Sequence, residues 1–319
     1  MSHTPGVLVT LASPGTEVIC GALLLVASTL VLRRVRASND QSSSHTPTAT
    51  SRVAASAALL ALVGWILGSA SDMLLAELPA ATWWRYAAPI VGAAVGTAIL
   101  LIAVARTPTH VEACVAPTAR RTWVSFANPR ELRGAIATGV TLIVVSVLAG
   151  LASSAADGGW YSRLTLDGGG SASFFGWTYG LPVVAATAVL AGLGWTTLSL
   201  TSRRPYSHPD AVALETAQRR ATTTAVLRLS FGALLLSLGG ALHFIGDAGL
   251  GSAGLDYPGV GTFVWSAGYF SFAPTILWVG WGMQVTAVAI LIRIVLNGLR
   301  RRQSSTTHAA GSQTAAGRS

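Results

Sequence analysis

Gly134 to Ala156 reads GAIATGVTLIVVSVLAGLASSAA, 23 residues without a charge, held between Arg133 and Asp157. An α-helix rises 1.5 Å per residue, so ~20 residues cross the hydrocarbon of a bilayer. A stretch this long with no charge has no face to offer to water, and it reads as a transmembrane helix. Just upstream stands Asn128-Pro-Arg-Glu131. That order supplies an N-cap, a first-turn proline and a third-position glutamate, so the helix starts there and runs into the span.

The same pattern recurs along the chain. Arg52 and Asp72 frame 19 uncharged residues, Arg85 and Arg106 frame 20, and Arg228 and Asp247 frame 18. Asp167 and Arg203 enclose another run, with its span at 174–200. Glu17 and Arg33 frame a shorter run of 15 near the start, which spans if its flanking charges snorkel to the interface. Asp256 and Arg293 enclose 36 residues, too many for one straight span. Residues 257–271 hold one proline and three glycines. They read as an outer loop, with a re-entrant, site-lining segment as the alternative, and the last span starts near Phe272. The expected fold is an all-α membrane bundle of about seven helices, one anchor followed by three hairpins.

Composition agrees. Hydrophobic types make up 51% of the 319 residues and charged types 10%, against roughly 25% charged in a soluble domain. All 21 cations are arginine, which fits the codon bias of a GC-rich bacterial genome and excludes lysine chemistry, including a retinal Schiff base. The net charge of +9 comes from residues flanking apolar segments, not from a basic domain, so nucleic acid is not an expected partner. Cys20 and Cys114 fall on opposite halves of the topology, and no disulfide is expected.

Orientation follows from the arginines. With the N-terminus outside, 19 of 21 lie in the cytoplasm and only Arg85 and Arg163 lie outside, while seven of twelve acids fall outside. The chain then divides into an outer N-terminus (1–16), a seven-span domain (17–300) with a Ser/Thr-rich cytoplasmic loop (37–51), and a disordered cytoplasmic tail (301–319). The first apolar run has no basic residue before it and three after it, which suits an uncleaved anchor in the plasma membrane. Trp83, Trp84, Trp160, Trp177 and Trp265 fall near the outer boundary and read as an interfacial belt. Pro209-Asp210 opens a helix expected to run unbroken into the sixth span, with Glu215 and Arg219 paired four apart on it.

The hairpins resemble one another. Each reaches an outer aspartate (Asp72, Asp157, Asp247), then returns past an aromatic pair and a proline, and Tyr86, Tyr179 and Phe272 are 93 residues apart. Such repeats occur in transporters, whose sites lie between the copies. Gly64-x-x-x-Gly68 and Gly92-x-x-x-Gly96 permit close helix contact.

Candidate chemistry is sparse. His243 lies inside a span one turn before Asp247, so the two can form a proton- or cation-responsive pair; an inert interfacial histidine is the plainer reading. Gln284 sits mid-span beside Trp278 and Trp281, facing other helices or a cavity. Asp72, Asp157 and Asp247 either converge as an acidic mouth or simply mark the topology. No catalytic residue, metal ligand set or cofactor site is expected: the second intramembrane histidine of a bis-histidine haem is missing, Met73 and Met283 read as apolar residues, and no nucleotide or nucleophile motif is present.

The expected function is a non-enzymatic transporter or channel for a small solute or ion, with His243, Asp247 and Gln284 along its path. The alternatives are an accessory or assembly subunit of a membrane complex and, further off, an intramembrane enzyme acting on a lipid. Expected partners are the bilayer itself, anionic lipids at the cytoplasmic arginines, and a membrane-protein partner or a second copy of the chain.

Overall fold

The structure is a computed structural model that describes residues 48–75, 82–106, 122–155, 159–166, 170–206, 212–257 and 261–316. Six helices are long and apolar enough to cross a membrane. They are α1 (Thr48–Leu75), α2 (Ala88–Arg106), α3 (Pro129–Ala152), α4 (Trp177–Arg203), α5 (Val212–Leu250) and α6 (Ala273–Ala316). The expected anchor between Glu17 and Arg33 lies outside the described residues, so the bundle described is one of six helices.

The chain is mostly helical, and two of its connections carry short strands. Between α3 and α4 lie three short strands, β1 (Ser154–Ala155), β2 (Tyr161–Thr165) and β3 (Ser171–Ser173), paired antiparallel in chain order. Between α5 and α6, β4 (Ser252–Tyr257) and β5 (Gly261–Ser266) pair from Ser252–Ser266 to Tyr257–Gly261. Of residues 257–271, Tyr257 ends β4, Gly261–Ser266 form β5 and 267–271 lead into α6, while 258–260 lie outside the described residues. The Thr-Phe-Val-Trp run at 262–265 has strong strand propensity, and pairing satisfies the backbone that a loop would leave open.

Helix starts obey local chemistry. Asn128 caps α3, its side chain accepting from the Arg130 N–H at 3.0 Å, with Pro129 in the first turn. Glu131 does not close the capping box. It accepts from Arg228 on α5 at 2.7 and 2.9 Å, tying α3 to α5. α5 is unbroken for 39 residues, as Pro209-Asp210 led one to expect, although those two residues lie outside the described ones. Glu215 and Arg219 pair at 3.2 Å. Arg219 also donates to the carbonyls of Arg204 and Pro205 and stacks over Tyr206, fastening the α4–α5 connection.

α5 is the hub and packs against every other helix. Leu229, Ala233, Leu236 and Ala241 are fully buried on it. Lipid tails are as apolar as leucine, so association of such helices depends on close packing and small residues. Both GxxxG motifs do this work between α1 and α2. A Cβ added at Gly64 would lie 3.2 Å from Ala88, one at Gly92 would lie 2.8 Å from the Ala61 backbone, and Gly96 meets Ala57.

A second glycine pattern runs along α5. Gly232, Gly239 and Gly246 are seven apart, and each lies against a residue of α6 from a matching series, Leu291, Gln284 and Leu277. A seven-residue period on both partners is the signature of a coiled-coil-like seam, here antiparallel. The middle slot, where the series would place a third leucine, holds Gln284. One end of the bundle carries Arg106, Arg133, Arg203 and Arg228, and the other carries the two small sheets. These are called the arginine end and the hairpin end below.

Candidate functional site

The turn before α2 carries a cation into the bundle. Arg85 donates its N–H to Thr82 and the amides of Ala87 and Ala88 close on Trp84, so the chain folds tightly at 82–88. This geometry points Arg85 and Tyr86 inward. Arg85 is only 5% exposed, and its guanidinium carbon lies 4.5 Å from the ring centre of Tyr86, 4.7 Å from Tyr179 and 4.5 Å from Phe244. A desolvated cation–π contact is worth ~2 kcal/mol or more, so three of them offset much of the cost of burying the charge. Three chain segments meet here: the turn before α2, α4 and α5.

The rings support one another. Tyr86 meets Phe175 at 5.1 Å and Tyr179 at 5.5 Å, both edge-on, and Tyr179 meets Phe244 at 5.8 Å. Phe175 is fully buried. The hydroxyls of Thr82 and Tyr179 face each other at 3.4 Å.

Gln284 adjoins this cluster. It is 5% exposed, and a Cβ placed on Gly240 would lie 3.1 Å from the Tyr86 ring and 3.3 Å from the Gln284 side-chain nitrogen. The amide and the aromatic cluster thus share one small space beside Gly239 and Gly240. His243 lies one turn further along α5, its backbone against Gly280 of α6. The His243 Nδ1 is buried and finds no hydrogen-bond partner among the described residues.

The residues singled out from the sequence separate into two groups. His243 and Gln284 both lie along the α5–α6 seam, the His243 backbone against Gly280 and Gln284 against Gly239. Asp247 is one turn from His243, as its spacing requires, but its side chain is exposed. Asp72 lies in the last turns of α1 with its side chain outside the described residues, and Asp157 also falls outside them. The acidic mouth therefore rests on Asp247 alone among the described side chains. Tyr86 and Tyr179, two members of the 93-residue series, pack together, whereas Phe272 is 67% exposed and does not join them. Met283 packs as an apolar residue at the edge of the core. Among the described residues no group of three His, Cys, Asp or Glu side chains could hold a metal ion.

Arg85 is the residue that sequence reasoning passed over. It stood out only as one of two arginines on the wrong side of the charge rule. That exception was the signal: a cation placed against the topological bias, next to tyrosine, needs a local reason.

The fold and this cluster define a multi-pass helical membrane protein with a cationic, aromatic-walled centre near the hairpin end. The chain matches no family model, no curated protein and no solved structure.

Proposed function

We propose that this protein is a non-enzymatic carrier or channel for a small solute or ion, and that Gln284, His243 and the Arg85 cluster form its binding station. The observation that carries the reading is Arg85, a charge almost wholly withdrawn from solvent inside a membrane bundle. Ionisable groups in that position are costly and usually mark a substrate or ion pathway. Gln284 adds support. A leucine at this slot would complete the seam, and an amide in its place gives up apolar packing to keep a hydrogen-bonding group at the centre. In this reading the chain has seven spans in a plasma membrane, its N-terminus outside and its arginine end in the cytoplasm, where the arginines meet anionic lipids.

The seam supplies a test. Gln284→Leu restores the leucine series, so the bundle is expected to keep its stability while the station loses its amide. Reconstituted in vesicles and screened against a panel of ions and small solutes, the native chain should conduct or carry at least one of them. Gln284→Leu and His243→Phe should each reduce that flux by about tenfold or more, the equivalent of one lost hydrogen bond to a charged or polar solute. Unchanged flux in both variants, with native stability, would remove these residues from any path.

A further inference from the structure

We propose that a cleft at the hairpin end holds one acyl chain of a bilayer lipid. The cleft is separate from the Arg85 cluster and does not depend on the function proposed above. It lies between the turn before α2, the start of β2 and the first turns of α4, and its volume is about 310 Å³. It is lined by Trp83, Trp160, Tyr161, Trp177, Thr178 and Leu181. Three indoles that read as scattered belt residues in the sequence therefore close on one space.

The chemistry of the walls selects the occupant. Among the described residues no charged side chain lines the cleft. The lining is aromatic and aliphatic, which suits an apolar guest. At about the ~30 Å³ that a water-sized group occupies, the volume takes roughly ten methylene units, a large part of one lipid tail. One wall is rigid, because the Trp177 indole lies against Gly150 of α3, where an added Cβ would come within 2.5 Å of it. The opposite walls are open: Trp83, Trp160 and Tyr161 are between 38% and 48% exposed.

Position decides the source. Leu181 is 58% exposed, and Val189, two turns further along α4, is 57% exposed. Both lie on the stripe of α4 that faces outward, away from the bundle. The cleft opens onto that stripe, so the apolar molecule in reach is the lipid alongside it. Tryptophans gather where the hydrocarbon gives way to headgroups, which places the cleft at the depth where a tail begins.

The test uses the full chain in phosphatidylcholine vesicles doped with a phosphatidylcholine that carries a photoreactive diazirine in its acyl chain. Cross-linked peptides are then mapped. Labelling should concentrate on residues 159–182, and it should saturate as the doped lipid increases. The double variant Trp160→Ala/Tyr161→Ala removes two exposed walls and should lower labelling of 159–182 by about fivefold. Phe272→Ala, which removes an exposed aromatic elsewhere, should leave it unchanged. Labelling that rises linearly without saturating, or that is spread over all spans by exposure, would mean ordinary surrounding lipid and overturn the proposal. Saturation on the native chain is read without any variant, so a double variant that fails to fold does not blunt the test. Protection of 159–182 by a co-purifying protein in place of lipid would overturn it as well.

Discussion

Gly239→Ala is expected to push α5 and α6 apart, because the new Cβ meets backbone on the facing helix. It would lie 2.7 Å from the Gly280 carbonyl oxygen, 2.8 Å from the Gln284 Cγ and 2.9 Å from the Gln284 amide nitrogen. Two of these three atoms are main chain and cannot rotate away. Overpacking of this kind costs ~1–3 kcal/mol, and the helix propensity gained on replacing glycine returns ~0.8–1 kcal/mol, so the net loss is about 0–2 kcal/mol. Gly232→Ala on the same seam meets the Leu291 Cδ2 at 2.9 Å, the far end of a flexible side chain. That side chain can shift, and the net change should be near zero. Gly192→Ala on α4 meets nothing within 4 Å and should stabilise by about 0.5–1 kcal/mol. Reversible unfolding in mixed detergent micelles, monitored by helical circular dichroism, would rank the three. The order of stability should be 192 above 232 above 239, with about 2 kcal/mol between the extremes. Equal shifts at all three positions, or a loss at Gly192 as large as at Gly239, would refute the seam.

Three further outcomes follow from local contacts. Arg228 and Glu131 make a two-pronged bond between α5 and α3 with the arginine half exposed, so a double-mutant cycle should return a coupling of about 0.5–1 kcal/mol that shrinks with added salt. Asn128→Ala removes the cap of α3 and should cost about 1 kcal/mol in the same unfolding assay, while Asn128→Asp should cost almost nothing. Tyr269 donates to the Ile245 carbonyl at 2.9 Å, and burial raises its pKa from 10.0 to about 12. Its contribution to stability is therefore complete below about pH 10 and fades as the pH climbs towards 12; Tyr269→Phe should flatten that part of the stability curve.

Much of the bundle could be read from charge spacing. The expected start of the last span near Phe272 lies one residue from the observed start of α6, and Asn128, Glu215–Arg219 and both GxxxG motifs act where their spacing placed them. These features are local: a cap, an i,i+4 pair and a small-residue stripe depend on residues a turn or two apart. The hairpin at 252–266 is hidden in the sequence because an apolar run carrying proline and glycine reads as loop, although its strand formers have an antiparallel partner just upstream. The seam is hidden for a different reason. Small residues four apart are a local signal, but Gly232, Gly239 and Gly246 of α5 recur every seven, and their meaning depends on Leu277, Gln284 and Leu291 on another helix. The Arg85 cluster is the least local of all, since Tyr179 and Phe244 lie far along the chain, and only the folded bundle brings their rings to the guanidinium.

α5 contains no proline between Val212 and Leu250, and its helix runs unbroken through Gly239-Gly240. From Arg219, where it is fastened to the carbonyls of the preceding loop, to Phe244, where it supports the Arg85 cluster, is 25 residues, or roughly 37 Å of unbroken helix. The Arg219 fastening and the Arg85 cluster are therefore held on one continuous element, along which the glycine seam starts between them at Gly232 and runs past Phe244 to Gly246.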